Sequence, residues 1–218
     1  MQTNTRYGQF LADLFCSCAQ VLHDRLLKSG TLKQGRTGID LGFRENDLRD
    51  EVRRTQRAAA DGAIILVERI LPGDVLLDGA AVGGVDYVLV APETETTPPL
   101  QDVLATCEVK GPTRAAFLDP ARFEHNWARR AFVDLRKQTA RAVAAPAAEH
   151  HMAFLIPFNE TYVLDTIDRA FVQPALERLP NARMKRSGIA SVKLVGEADE
   201  HDLTVVVYRV TCKPAGGA

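Results

Sequence analysis

Apolar residues recur at helical spacing from Phe10-Leu11-Ala12-Asp13-Leu14-Phe15 through Leu26-Leu27, predicting an N-terminal helix that stops near Gly30. The stretch Gly30 to Gly38, rich in Gly, Thr and Lys, predicts a loop. A second helical pattern covers about Arg44 to Ala60 and ends near Asp61-Gly62. The period then shortens. Ala63 to Leu71 predicts a strand and Pro72-Gly73-Asp74 a turn, followed by a strand over Gly84-Val85-Asp86-Tyr87-Val88-Leu89-Val90. The apolar run Val103 to Cys107 leads into Glu108-Val109-Lys110 as a third strand, and Ala91 to Gln101, with its Thr and Pro cluster, predicts an exposed connection. After Gly111-Pro112 and the helix-start signal Asp119-Pro120, a long helix is predicted over Ala121 to Ala145, ending before Pro146. His151 to Pro157 predicts a strand. A helix near Asp165 to Leu179 and strands around Ile189 to Val195 and Leu203 to Val210 then extend the sheet or form an appended hairpin. Gly79-Ala80-Ala81-Val82-Gly83-Gly84 precedes a strand instead of joining strand to helix, so it predicts a turn and not a phosphate cradle.

Composition narrows this to an ordinary globular chain. With 218 residues and 46% hydrophobic content a single domain can bury an ample core. The expected organisation is one domain, with residues 1–40 as N-terminal helix and loop, 41–157 as the core, and 158–218 as a C-terminal helix and strands. Net charge is −1, so any polyanion-binding surface must come from local patterning. Arg outnumbers Lys 20 to 7, which makes a lysine inside an apolar strand more noteworthy. The four cysteines, Cys16, Cys18, Cys107 and Cys212, form no CxxC pair. A reduced compartment is expected. Cys16 and Cys18 would point about 200° apart on a helix, poorly placed to share a zinc ion. No stretch approaches the roughly 20 apolar residues of a membrane span, so a soluble cytoplasmic protein is expected.

The candidate chemistry lies in Glu108-Val109-Lys110, 22 positions after Asp86. Alternate strand residues share a face, so Glu108 and Lys110 project together while Val109 enters the opposite layer. If the Asp86 strand pairs alongside, a second carboxylate joins them. Two close carboxylates repel, and a hard dication such as Mg2+ relieves that repulsion while keeping waters or phosphate oxygens as ligands. Such a metal polarises a phosphodiester and acidifies bound water, and an ammonium nearby orients that water or offsets developing charge. A surface strand with a Glu/Lys pair on its wet face also satisfies the pattern, but the apolar, β-branched flanks predict strands buried on at least one side.

The order helix, three strands, helix, strand, with Asp86, Glu108 and Lys110 so placed, resembles the PD-(D/E)XK nuclease superfamily over about Leu41 to Pro157. The resemblance implies an α/β, restriction-endonuclease-like mixed sheet flanked by helices, with the N-terminal helix and a C-terminal β extension added. It implies Asp86 and Glu108 as ligands of Mg2+, with Mn2+ as a substitute, and Lys110 beside the attacking water. It also implies phosphodiester hydrolysis of nucleic acid, a DNA endonuclease first, with DNA favoured over RNA. Val85, not proline, precedes Asp86. Members often carry a site glutamate at the start of the first core helix. Glu45 matches it, sharing a stripe with Leu48 and Val52, whereas Glu51 is rotated roughly 120° away. Glu45 fits equally a carboxylate that complements the helix N-terminus. The helix after the Glu-X-Lys strand often adds a glutamine. Gln138 matches it, on one face with Phe132, Leu135 and Ala142, and fits equally a buried amide bonded to backbone.

That helix also carries Arg122, Arg129, Arg130, Arg136, Lys137 and Arg141, opposed only by Glu124 and Asp134, a flank suited to backbone phosphates or to plain solvation. Trp127 suits base stacking but fits a packing anchor better. His125, His150 and His151 are expected to be structural, because a metal mechanism needs no histidine base. Neither a Gly-X-Ser-X-Gly elbow nor a His-Glu-X-X-His helix occurs. Two rival readings stand: a non-catalytic nucleic-acid-binding or assembly module that keeps the fold, and a small-molecule or nucleotide-sensing domain with an apolar pocket away from Asp86. A homodimer through the N-terminal helix or C-terminal strands is compatible with the pattern.

Overall fold

In a computed structural model of the chain, the described residues are 6–30, 45–55, 58–77, 80–81, 83–94, 98–111, 118–119, 121, 123–195 and 200–213. Arg122 and Pro120, the residues 31–44 ahead of Glu45, and the side chain of His125 lie outside them.

Six strands form one mixed sheet. Helices α1 (Gly8–Lys28) and α2 (Glu45–Thr55) precede β1 (Ile64–Arg69). A short antiparallel pair, β2 (Leu76–Leu77) and β3 (Ala80–Ala81), precedes β4 (Val85–Val90) and β5 (Ala105–Lys110). A π-helical turn, Phe123–Ala128, leads into α3 (Arg129–Ala144), then β6 (Glu149–Ile156), α4 (Glu160–Ile167), α5 (Gln173–Arg178), β7 (Ala182–Val195) and β8 (Glu200–Cys212). The sheet order is β1-β4-β5-β6-β8-β7, in which only β5 and β6 are parallel. A parallel pair needs a crossover, and α3 supplies it.

β6 shows why the middle of the sheet reads as continuous apolar sequence. Met152, Phe154 and Ile156 pack with Trp127, Leu135 and Phe171 on one face, while Ala153 and Leu155 pack with Leu11, Phe15 and Leu48 on the other. Both faces are covered, so no polar alternation survives. No helix among the described residues is long and apolar enough to cross a membrane.

Several boundaries differ from expectation for local reasons. α2 ends at Thr55, not Ala60, because Ala58 bridges to Ile64 and Ala59 N donates to Ala63 O in a tight return to β1. The helix expected over Asp165 to Leu179 is α4, a π-helical turn at Asp168–Val172, and α5. Pro174 lacks an N–H and its ring crowds the preceding turn, so the helix widens just before it. The last two strands are longer than predicted and continue the sheet directly through β6–β8 pairing.

Helix α1 is tied to the sheet at its first turn. The Glu149 carboxylate accepts from Arg6 N at 2.8 Å and Tyr7 N at 3.2 Å, satisfying amides that the helix itself leaves open. Burial opposes ionisation of Glu149, but bonds from His151 and these amides hold its pKa at about 2. Beside this anchor, β7 bulges between Arg186 and Gly188. A Cβ on Gly188 would meet the Gly8 carbonyl oxygen at 2.2 Å. Gly188→Ala is therefore expected to cost about 3 kcal/mol, seen as a lower urea midpoint with an unchanged slope.

Candidate functional site

The polar residues gather where β4 begins and β5 ends. β4 and β5 are antiparallel and their pairing ends at Tyr87 opposite Cys107; Asp86 and Glu108 are the next residue on each strand, close enough for the Asp86 carboxylate to act on Glu108. Like charges so close on neighbouring strands are unfavourable. Asp86 Oδ2 accepts from Val109 N at 2.9 Å, and Oδ1 lies 3.4 Å from Arg49 of α2. Glu108 is 3% exposed; its Oε1 accepts from Arg141 at 2.8 Å, and its Oε2 has no hydrogen bond among the described residues. Burial first, and the Asp86 carboxylate second, push the Glu108 pKa up to about 8 against the pull of Arg141.

Lys110, two residues on, shares the Glu108 face. Its Nζ lies 2.9 Å from Asp134 and 3.9 Å from Glu45. Burial works against its charge, but Asp134 and then Glu45 outweigh that and raise its pKa, so it stays an ammonium at neutral pH. Glu45, at the start of α2, also accepts from Gly111 N at 3.1 Å, which links the helix to the end of β5. Glu51 is buried away from this group, 2.8 Å from Arg25 of α1.

Asp86, Glu108, Lys110 and Glu45 thus share one end of the sheet. Gln138 does not join their hydrogen bonds. It is fully buried, with Oε1 accepting from Thr106 at 2.8 Å and Nε2 donating to the His151 carbonyl at 2.9 Å, a seam between α3 and two strands. Gln138→Ala would take the amide donor from the buried His151 carbonyl while Thr106 keeps His150 Nδ1 at 2.9 Å; a loss of about 2 kcal/mol is expected, measurable by urea unfolding.

Residues one turn to either side of Gln138 take the place expected of it. Asp134 holds Lys110 and, at 2.9 Å, Lys137. Arg141 binds Glu108 through Nη1 and grips Asp74 with Nε and Nη2 at 3.0 and 2.8 Å. This corrects the sequence reading: Arg141 is wholly buried and cannot belong to a phosphate-contacting surface, because its guanidinium neutralises two carboxylates inside the fold. Lys137 faces Asp134, with its side chain 19% exposed, while Arg129 and Arg130 are exposed. The signal that could have found Asp134 and Arg141 is their i, i+4, i+7 spacing with Gln138 between them, on the face turned toward the Glu-X-Lys strand.

Other expectations resolve simply. Trp127 is a core anchor, its ring 4.7 to 5.5 Å from those of Phe123, Phe154 and Phe171. His150 and His151 are buried; burial lowers both pKa values, His150 to about 4, so both are neutral at pH 7 and bonded within the core. None of the four cysteines is joined in a disulfide.

Among the described residues no group of three or more His, Cys, Asp or Glu side chains is gathered to cage a metal ion. A hard dication here would rest on the neighbouring carboxylates of Asp86 and Glu108 and complete its shell with water or substrate oxygens, as Mg2+ does readily. Comparison of the chain with protein-family models, curated proteins and solved structures finds no match in any of the three.

Proposed function

We propose that this chain is a divalent-metal-dependent phosphodiesterase acting on nucleic acid, DNA before RNA, on a restriction-endonuclease-like form of its mixed sheet. The observation that carries the reading is Asp86 and Glu108 at the ends of neighbouring strands, close enough that the Asp86 carboxylate helps burial drive the Glu108 pKa up to about 8, beside a lysine kept charged. A sheet built only for packing gains nothing from two neighbouring carboxylates there. The element order supports the family reading: α2, the antiparallel strands β1, β4 and β5, the crossover α3, and parallel β6.

Asp86 and Glu108 would hold Mg2+, which when bound supplies a Lewis acid for the phosphodiester and a water of lowered pKa. Lys110 orients the attacking water and offsets charge that develops at phosphorus; being charged, it is no general base. Asp134 and Glu45 fix the ammonium in place. Arg141 holds one oxygen of Glu108 and leaves the other for the site.

A second reading, a non-catalytic nucleic-acid-binding module, draws support from the arginines that already partner both carboxylates, Arg49 on Asp86 and Arg141 on Glu108. The deciding experiment incubates plasmid, single-stranded DNA and RNA with the wild type and with Lys110→Ala, in Mg2+, in Mn2+ and in chelator. Metal-dependent cleavage that vanishes in the variant is expected. Its absence on every substrate would sink the enzyme reading, and retained DNA binding would then favour the module.

A further inference from the structure

Helix α2 carries Glu45, Arg49 and Arg53 at four-residue spacing, one line along its surface. Arg49 reaches the site: its Nη2 lies 3.4 Å from Asp86 Oδ1. That distance exceeds the roughly 2.8 Å of a charge-assisted hydrogen bond, and Asp86 already has the Val109 amide on its other oxygen. Arg49 is held from elsewhere. The Glu68 carboxylate takes Nη1 of Arg49 on Oε1 and Nη2 of Arg53, at 3.2 Å, on Oε2.

Glu68 is unusual in its backbone. Its φ is +52°, the only positive value at a non-glycine among the described residues. It stands in β1 between Val67, paired with Tyr87, and Arg69, paired with Val85, hence beside Asp86. A left-handed glutamate inside a strand is costly, and such strain persists where the surroundings enforce it, often at functional sites. Stability does not account for it, because the Glu68 side chain is 53% exposed and an exposed ion pair contributes little to folding. What the arrangement achieves is placement: a planar guanidinium, its side chain only 15% exposed, is tethered by Glu68 on one side and held in a longer ion pair with Asp86 on the other.

We infer that Arg49 grips the nucleic-acid phosphate handled at Asp86 and Glu108, and that Glu68 is the residue that positions it. The guanidinium fork matches phosphate oxygens in two directions, which an ammonium does not. The inference rests on Asp86, Glu108 and Lys110 being a phosphodiester-handling centre, and it assigns a substrate contact to a helix flanking that centre.

The test is binding, not turnover. In the Lys110→Ala background, with chelator present, the affinity for fluorescein-labelled duplex and single-stranded DNA is measured by anisotropy across a salt series. Arg49→Ala is expected to weaken binding about tenfold and to flatten the log-log salt slope by about 0.9 on duplex or about 0.7 on single strands, the loss of one phosphate contact. Arg49→Lys should keep the slope yet bind more weakly than wild type, and Glu68→Gln should weaken binding by less without changing the slope. Neither partner of Arg49 is stranded by its removal, since Glu68 retains Arg53 and Asp86 retains the Val109 amide. An Arg49→Ala protein with wild-type affinity and slope overturns the inference. If Arg49→Ala lowers both while the parent chain shows no Lys110-dependent cleavage, the phosphate grip stands and the nuclease reading falls. If the parent cleaves and Arg49→Ala binds and cleaves as it does, the grip alone falls.

Discussion

Lys110→Ala is expected to lower Mg2+-dependent DNA cleavage by on the order of a thousandfold while leaving the unfolding transition within about 1 kcal/mol of wild type. The two halves follow from different contacts. The Lys110 ammonium is the charged group on the strand face that also bears Glu108, so its loss removes both the water-orienting donor and the charge that offsets the transition state. Stability is insulated, because Asp134 keeps Lys137 at 2.9 Å after Lys110 is gone, and Glu45 keeps the Gly111 amide. Lys110→Arg should also fail, since a broad fork bound to Asp134 does not reproduce a compact ammonium. Initial rates on plasmid with excess Mg2+ check this, alongside urea unfolding of the same preparations. A residual rate within tenfold of wild type would remove Lys110 from the chemistry. The pH profile adds a second check: Lys110 is held charged, so the rising limb should come from Glu108, below its metal-free pKa of about 8 when Mg2+ is in excess and moving up toward it as Mg2+ is lowered.

The four clustered residues were legible because each sits where local rules are strong. Alternation in a strand puts Glu108 and Lys110 on one face regardless of the rest of the fold, and apolar flanks mark the strand as buried. Glu45 follows from a helix start and its phase against Leu48 and Val52. Illegible were the partners, which depend on which strand lies beside which. Arg141 reads as one arginine in a basic run, and only the packing of α3 over β5 and the turn at Asp74 turns it into a buried clamp on Glu108. Arg49 and Glu68 are 19 residues apart and meet because α2 packs back against β1. Gln138 lies on the helix face turned toward β5 but bonds Thr106 and the His151 carbonyl, short of the carboxylates. The β7–β8 pair runs longer than its apolar pattern because exposed Arg183, Lys185 and Arg186 resemble a loop until the edge of a sheet is there to receive them.

Glu108→Gln should abolish cleavage and, in metal-free protein at pH 9, make the fold more stable. In the folded state the Glu108 pKa stands at about 8 against an ordinary glutamate value of 4.5, so between these pH values the native protein binds a proton that the unfolded chain releases. Stability of the wild type therefore falls as pH rises through that window, and the full penalty is present above it. Glutamine copies the neutral carboxyl and escapes the penalty. At about 1.4 kcal/mol for each pKa unit, the shift bounds the gain at about 5 kcal/mol, or a melting temperature higher by at most roughly 10 to 20 °C, fading to nothing near pH 4.5. Mg2+ should reverse the ranking. It stabilises whichever protein binds it, and only the wild type offers two neighbouring carboxylates. Its binding near neutral pH should also release the Glu108 proton, detectable by calorimetry in two buffers of different ionisation enthalpy. Thermal unfolding of both proteins across pH, with chelator and with Mg2+, reads all of this. If Glu108→Gln is instead destabilised equally at pH 5 and pH 9, Glu108 is an ionised partner of Arg141 and nothing more. The strain attributed to Asp86 beside it, and with it the physical reason for a metal at that end of the sheet, would then be gone.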